Sequence, residues 1–474
     1  MIFRRFLRGH ATAVLMSMTV LTASPALIEP VLAAPAKAPA KARPKAKPKA
    51  PPKAPVAKKS VPVDPATVSA IRGEAGGRIA RFYETREYRP LWIVGGKAGD
   101  LIGAAAQDFL RDLDDAKLDG LDPARYDPQG LREAIAEADR GGPEELAVAE
   151  VALTRAFTKY VGYMRKVRDV GMIYVGKGLK PAKLADDAVL RVAAMKDFTS
   201  YVETMGWMSP HYVRMREALR AAEKAGADRE TLDVLRLNRE RARALPSAAV
   251  RHIVVDAAAA RLYYYQDGEQ VGTMRVVVGA KETQTPMLAG TINWAIFNPY
   301  WNIPDYLTRD NVARKVLSGR TLESMDMEVL SDWSASPEVA DPSTIDWQAV
   351  RDGKVVLRIR ELPGPANSMG KVKFLFPNDE GIYLHDTPNR DLLVKVDRHL
   401  SNGCIRLEDA PALGRWMMGK SFGVKSKAPE QAVALPAPVP VYLTYLTATT
   451  TKKGVALLDD VYGRDDRRGP KLAF

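Results

Sequence analysis

Apolar positions along the chain follow two different periods. Between Val61 and about Ser247 they recur every three or four residues, as on one side of a helix. From Glu144 to Met164, Leu146, Ala149, Leu153, Ala156, Phe157, Tyr160, Val161 and Met164 form such a stripe, begun by Pro143 and two glutamates. Ser209-Pro210 opens another helix with Tyr212, Met215 and Leu219 on its apolar side, and a last one carries Leu232, Leu235 and Leu237 and stops at Leu245-Pro246. From Arg251 the period becomes two, over Arg251–Val255, Arg261–Tyr265, Gln270–Val278 and Thr291–Phe297, with Asp267-Gly268 as a hairpin turn. The pattern predicts a helical half followed by a β-rich half. Between Tyr306 and Arg360 it turns helical and irregular, in an insertion that carries Trp333 and Trp347. Long insertions between strands are commonly functional, so 305–360 is a candidate lid. Asp409-Ala410-Pro411 opens a helix through Leu413, Trp416 and Met417, and Pro438–Thr447 returns to strand alternation.

Charge and composition add an address. The N-terminus has Arg4, Arg5 and Arg8, an apolar run near Ala13–Ala23, and small residues around Ala33. It reads as a secretory leader over 1–33, with retention as an uncleaved anchor the alternative. Residues 34–60 are mostly Ala, Pro and Lys with no acidic residue and no aromatic, a composition that buries no core and predicts a solvated tether. Of the formal charge of +13, nearly all sits before residue 61, where twelve Lys or Arg face Glu29 alone. The folded part is near neutral. That removes the case for nucleic acid and leaves the tether as a spacer, with loose attraction to anionic envelope surfaces as its functional reading.

The chemistry concentrates between Gly381 and Leu407, which hold the only cysteine, Cys404, and two of the five histidines. A thiol is a nucleophile as the thiolate and needs a base or positive charge nearby; His385, His399 and Arg406 supply candidates. Ile382 to His385 alternates as a short strand with Tyr383 and His385 on one face, ended by Asp386-Thr387-Pro388. Ser401-Asn402-Gly403 forms a tight turn delivering Cys404, with backbone N–H groups free to converge on an oxyanion. By residue types alone, a lone cysteine is equally a small buried apolar side chain. His211 and its aromatic stripe read as core and surface, and the acidic loop Asp119-Gly120-Leu121-Asp122 as turn and caps. No metal cluster, phosphate loop or Gly-x-Ser-x-Gly elbow is present in the sequence, and no cofactor is called for.

The order His385, Asp386-Thr387-Pro388, then Ser401-x-Gly403-Cys404-Ile405-Arg406 resembles the L,D-transpeptidase catalytic domain. His385 lies nineteen positions before Cys404, a spacing that suits the family, while Asn402 stands where many members carry histidine. Gln284-Thr285-Pro286, Asn298 to Pro304, Gly364 to Asn367 and Lys371 to Asn378 resemble further phrases of that domain. Phe82-Tyr83 through Trp92, and Asp119 to Pro123 with Tyr126, are similar to the helical scaffold of its larger members. The resemblance implies an α+β chain: leader 1–33, tether 34–60, helical scaffold 61–247, β-rich catalytic domain 248–465 with the lid inserted, and a tail 466–474. It implies a sandwich-like pair of sheets with the cysteine at the edge of a groove. Cys404 is the expected nucleophile, His385 the base and Gly403 part of the oxyanion site; Tyr383, Ser401, Arg406 and Trp347 are expected to meet substrate. The substrates implied are peptidoglycan stem peptides, handled by a monomer in the periplasm, with transfer to an amine, an L,D-carboxypeptidase reaction with water, and an inactive wall-binding scaffold as the three readings.

Overall fold

The computed structural model describes residues 64–465, except 96–100, 182–184, 335, 420–421 and 452–453. The expected leader, tether and tail lie outside the described residues.

In the helical half the Pro143–Met164 helix is the axis. Gly142 N–H donates to the Glu145 carboxylate (2.8 Å), which closes its first turn. The helix packs between Pro65–Glu74 and Pro128–Ala138. Its inner side feeds an aromatic cluster in which Phe157 meets Trp92 and Trp207 edge-on, at 5.6 and 5.3 Å between ring centroids. Glu150 on the same helix is fully buried. Its carboxylate accepts from the Leu91 and Trp92 N–H groups (2.6 and 2.9 Å) and from the Tyr83 hydroxyl (2.7 Å), so this one carboxylate ties the two ends of the Phe82–Trp92 phrase together, the helix Ala80–Thr85 and the segment after it. Asp119 is likewise structural: it accepts from Tyr160 (2.8 Å), Tyr212 (2.7 Å) and Arg216 (2.9 Å), while Gly120 takes a left-handed φ of 70°. Asp122 caps the following turn through Ala124 N–H.

The strands are β1 (Ile173–Tyr174), β2 (His252–Asp256), β3 (Arg261–Gln266), β4 (Glu269–Gly279), β5 (Leu288–Phe297), β6 (Trp301–Ile303), β7 (Met327–Leu330), β8 (Val339–Ala340), β9 (Arg358–Glu361), β10 (Val372–Leu375), β11 (Leu384–His385), β12 (His399–Ser401), β13 (Ile405–Leu407), β14 (Gln431–Thr444), β15 (Ala448–Thr451) and β16 (Gly454–Leu457). The main sheet runs β1-β5-β10-β11-β13-β4-β3-β2-β14, and β14 also pairs with β5. The expected pair of sheets is thus one sheet whose hydrogen bonding closes on itself. β14 achieves this by shifting register between Ala434 and Val439, so that its second half bonds β2 on one side and β5 on the other. Inside lie Ile253, Val276, Leu288, Ile292, Phe374, Leu384 and Ile405.

The insertion is helical over 305–317 and Trp347–Arg351 and irregular between them, as expected, but it also carries short strands. It is built on a second sheet, ordered β6-β9-β7-β8, with its own core of Ile303, Val312, Trp347, Val350 and Ile359. Strands of two to four residues separated by turns are too short to leave a period of two in the sequence. Two segments also cross the expected boundary between the halves: β1 pairs in parallel with β5, and Ala448 and Val455 of the β15–β16 hairpin join the scaffold core. His211, buried as expected, meets Tyr265 across that junction (3.1 Å).

Candidate active site

β11 and β13 lie side by side in parallel, with Leu384 opposite Ile405 and His385 opposite Arg406. Ile405 N–H donates to the Tyr383 carbonyl (2.9 Å), which carries the pairing back to Tyr383 and Cys404. Alternation sends Leu384 and Ile405 into the core and turns Tyr383, His385, Cys404 and Arg406 to the other face. Four of the expected residues are therefore brought together by the register of one strand pair.

The turn before Cys404 is braced from beneath. Gly403 has φ 108°, and a Cβ there would stand 3.1 Å from Ile382 Cδ1, so the bend demands glycine. Ser401 is buried; its hydroxyl donates to the Cys404 carbonyl (2.6 Å) and accepts from Gly403 N–H (3.2 Å). Two expectations are corrected by this geometry. Ser401 is a brace of the turn and not a substrate contact, because both its hydrogen-bonding directions are used internally. Gly403 shapes the turn but does not offer its N–H to an oxyanion; the Cys404 N–H, which has no partner among the described residues, is the donor left for it. Thr285 continues the support, donating to the Gly403 carbonyl (2.7 Å) and accepting from Gly279 N–H (2.9 Å), while the Tyr462 hydroxyl donates to the Gly279 carbonyl (2.6 Å). Thr285 sits in the Gln284-Thr285-Pro286 phrase, which gives it no role by itself, and Tyr462, far along the chain, carries no local signal.

His385 is buried, with Nδ1 2.6 Å from the Asp386 carbonyl. A carbonyl only accepts, so Nδ1 carries the proton and Nε2 keeps its lone pair, the tautomer a general base needs. Asp386 is itself held, by Lys371 N–H (3.0 Å) and Arg390 (3.0 Å). Gly370 at φ 63° permits this approach, since a Cβ there would stand 2.6 Å from the Asp386 carboxylate. Burial, helped by the charge of Arg406, pushes the imidazole down to about 3 against the pull of the Asp386 and Met369 carbonyls. The Cys404 thiol is half-buried and donates to the Gly381 carbonyl (3.6 Å). Burial raises its pKa, opposed by the Tyr383 N–H and Arg406. No hydrogen bond joins it to His385 among the described residues. At rest the thiol and the imidazole are thus both neutral.

Arg406 is half-buried; burial lowers its pKa, offset in part by Cys404 in its thiolate form and by Glu361. Its Nε is buried and without a hydrogen-bond partner among the described residues. A donor in that condition suits an incoming oxygen. Burial raises the pKa of half-buried Tyr383 and of Tyr306, from the Asp305–Leu307 turn of the insertion, and Cys404 as thiolate would raise both further. Among the described residues of the insertion, Tyr306 is the one so affected by Cys404, and its adjacency to the Asn298–Pro304 phrase is the available signal.

Trp347 is corrected as a substrate contact. It is 9% exposed within the insertion's own core, and its indole N–H donates to the Pro342 carbonyl (3.1 Å). His399, as expected, is not placed as a base: Nδ1 meets the Asp397 carboxylate (2.7 Å) and Nε2 the Ala257 carbonyl (2.9 Å).

Residues 250–440 match the YkuD family, the L,D-transpeptidase catalytic domain, and residues 77–219 match a scaffold domain. A Haemophilus influenzae protein carrying the provisional name L,D-transpeptidase is 26% identical over 400 residues, which cover 82% of this chain and 78% of that protein. Among solved structures, the carbamoyl enzyme of Ldtfm with avibactam is similar at 14% identity and TM-score 0.20 over 41% of this chain and 48% of that one. An L,D-transpeptidase from Mycobacterium smegmatis is similar at 16% and 0.19 over 41% and 58%. The chain spans about half the length of these solved structures.

Proposed function

We propose that the chain, which carries an L,D-transpeptidase catalytic domain with a scaffold domain ahead of it, forms 3-3 cross-links in peptidoglycan through a thioester on Cys404. The observation that carries this reading is the shared face of Tyr383, His385, Cys404 and Arg406 on β11 and β13. Cys404 Sγ attacks the carbonyl of the third residue of a stem tetrapeptide, the C–N bond to D-alanine breaks, and a thioester forms. His385 Nε2 takes the thiol proton and gives it to the leaving amine. The Cys404 N–H and Arg406 Nε face the oxygens on which negative charge develops or already sits. The side-chain amine of a second stem then attacks the thioester and the thiol regains a proton.

Because the resting pair is neutral, the substrate must drive proton transfer as it binds. The activity is proposed for the periplasm. Incubating the soluble protein with purified disaccharide tetrapeptides and weighing the products tests it. Dimers with loss of one alanine are expected; alanine loss alone makes the chain an L,D-carboxypeptidase, and unchanged tetrapeptide leaves a wall-binding scaffold.

A further inference from the structure

The Pro143–Met164 helix turns a second side outward. Arg155, Lys159, Gly162 and, just past the helix end, Lys166 follow one another at steps of four, three and four, and they line a cavity of about 1040 Å³. Arg78, Arg165 and Lys180 complete its cationic wall, against Asp186, the one carboxylate among the described lining residues. A surface selected for solubility interleaves the two signs; this one gathers one sign in a concavity. Among the described residues none of the six cations pairs with a carboxylate. Arg155, Lys159 and Arg165 donate only to the carbonyls of Glu74 (3.1 Å), Arg125 (2.7 Å) and Trp207 (3.3 Å). The Arg165 Nε is buried with no partner there. A Cβ on Gly162 would meet nothing within 4 Å, so the floor of the cavity is open at that residue, and the Tyr163 ring beside it is 38% exposed.

We propose that this cavity binds a carboxylate-bearing segment of the wall's glycan–peptide polymer, distinct from the stem acylated by Cys404, so that the scaffold holds the enzyme on its substrate. The volume fits an organic ligand, for which pockets run to about 300–1,000 Å³, and is far larger than a lone anion needs. Cations supply the carboxylate contacts and Tyr163 an apolar face for a sugar. The proposal rests on the wall-peptide reading of the cysteine site.

Its test does not use the chemistry. Binding is measured by calorimetry on full-length Cys404→Ala protein with a disaccharide dipeptide, which lacks the carbonyl that Cys404 attacks, with the same probe after amidation of its carboxylates, and with phosphatidylglycerol vesicles. The free-carboxylate probe is expected to bind, more weakly as salt rises. R155Q/K159Q/K166Q in this background should weaken it by about tenfold or more, as three partly exposed charge contacts allow. Gly162→Leu, which fills the floor without altering charge and suits a helix, should weaken it as well, with melting temperatures checking both folds. No binding by the parent, equal binding of the amidated probe, undiminished binding in both folded variants, or preference for the vesicles would each overturn the proposal. Thioester formation on a tetrapeptide is read separately by mass, so loss of the Cys404 chemistry and loss of this site are told apart.

Discussion

Replacing Ser401 by alanine separates a brace from a substrate contact. The hydroxyl bridges the Cys404 carbonyl and Gly403 N–H at 2.6 and 3.2 Å beneath the nucleophile, and its removal strands an acceptor and a donor in a site with little access to water. A buried group left unsatisfied costs about 1–3 kcal/mol, and relaxation around a turn recovers part of that, so the two together come to about 2–4 kcal/mol. For a domain of this size each kcal/mol lowers Tm by about 2–4 °C, which predicts a fall of roughly 4–16 °C. The Cys404 N–H loses its fixed direction at the same time, so kcat on tetrapeptide should fall by tenfold or more, with KM little changed. Ser401→Thr, which retains the hydroxyl, should restore part of both. Thermal melting by circular dichroism and steady-state kinetics read the two effects. An unchanged Tm with a raised KM would refute the reasoning and return Ser401 to the substrate.

Alkylation of Cys404 by iodoacetamide should climb with pH through the alkaline range without a plateau near neutrality, since burial holds the thiol protonated and His385, lowered to about 3, carries no charge to stabilise a thiolate; a rate already flat between about pH 5 and 7 would mean a preformed ion pair. His385→Ala should slow acylation by about 10²–10⁴-fold and His399→Ala by much less, because both nitrogens of His399 are engaged away from the thiol, and the reverse order would exchange their roles. Trp347→Ala should destabilise the insertion by about 3–5 kcal/mol as a core deletion, seen as early local melting or proteolysis at 305–360, whereas a stable insertion with impaired substrate affinity would restore the contact first expected.

How much of this was legible in the sequence follows from distance along the chain. His385 and Cys404 lie in one stretch of turn chemistry and alternation, and a register of two strands was enough to join them with Tyr383 and Arg406. The Pro143–Met164 helix had a full stripe of apolar residues and needed no partner to be recognised. Three things escaped. Closure of the sheet depends on a register shift within β14, which no local pattern announces. Thr285 and Tyr462 support the nucleophile from 119 positions before it and 58 after it, where each is an ordinary polar or aromatic residue. Trp347 was misplaced because a tryptophan in an insertion reads alike whether it faces a groove or a core, and only the small sheet around it decides. Gly403 was rightly singled out for its backbone, but who receives its N–H is fixed by a hydroxyl two residues away.

The central claim is that Cys404 carries the acyl group. Intact-protein mass spectrometry after brief mixing with a disaccharide tetrapeptide, followed by peptide mapping, measures this directly. The account predicts an adduct equal to the tetrapeptide unit less one alanine, located on Cys404, labile to hydroxylamine as a thioester and absent from Cys404→Ala. Turnover of the tetrapeptide by Cys404→Ala, or an adduct on any other residue, would contradict it.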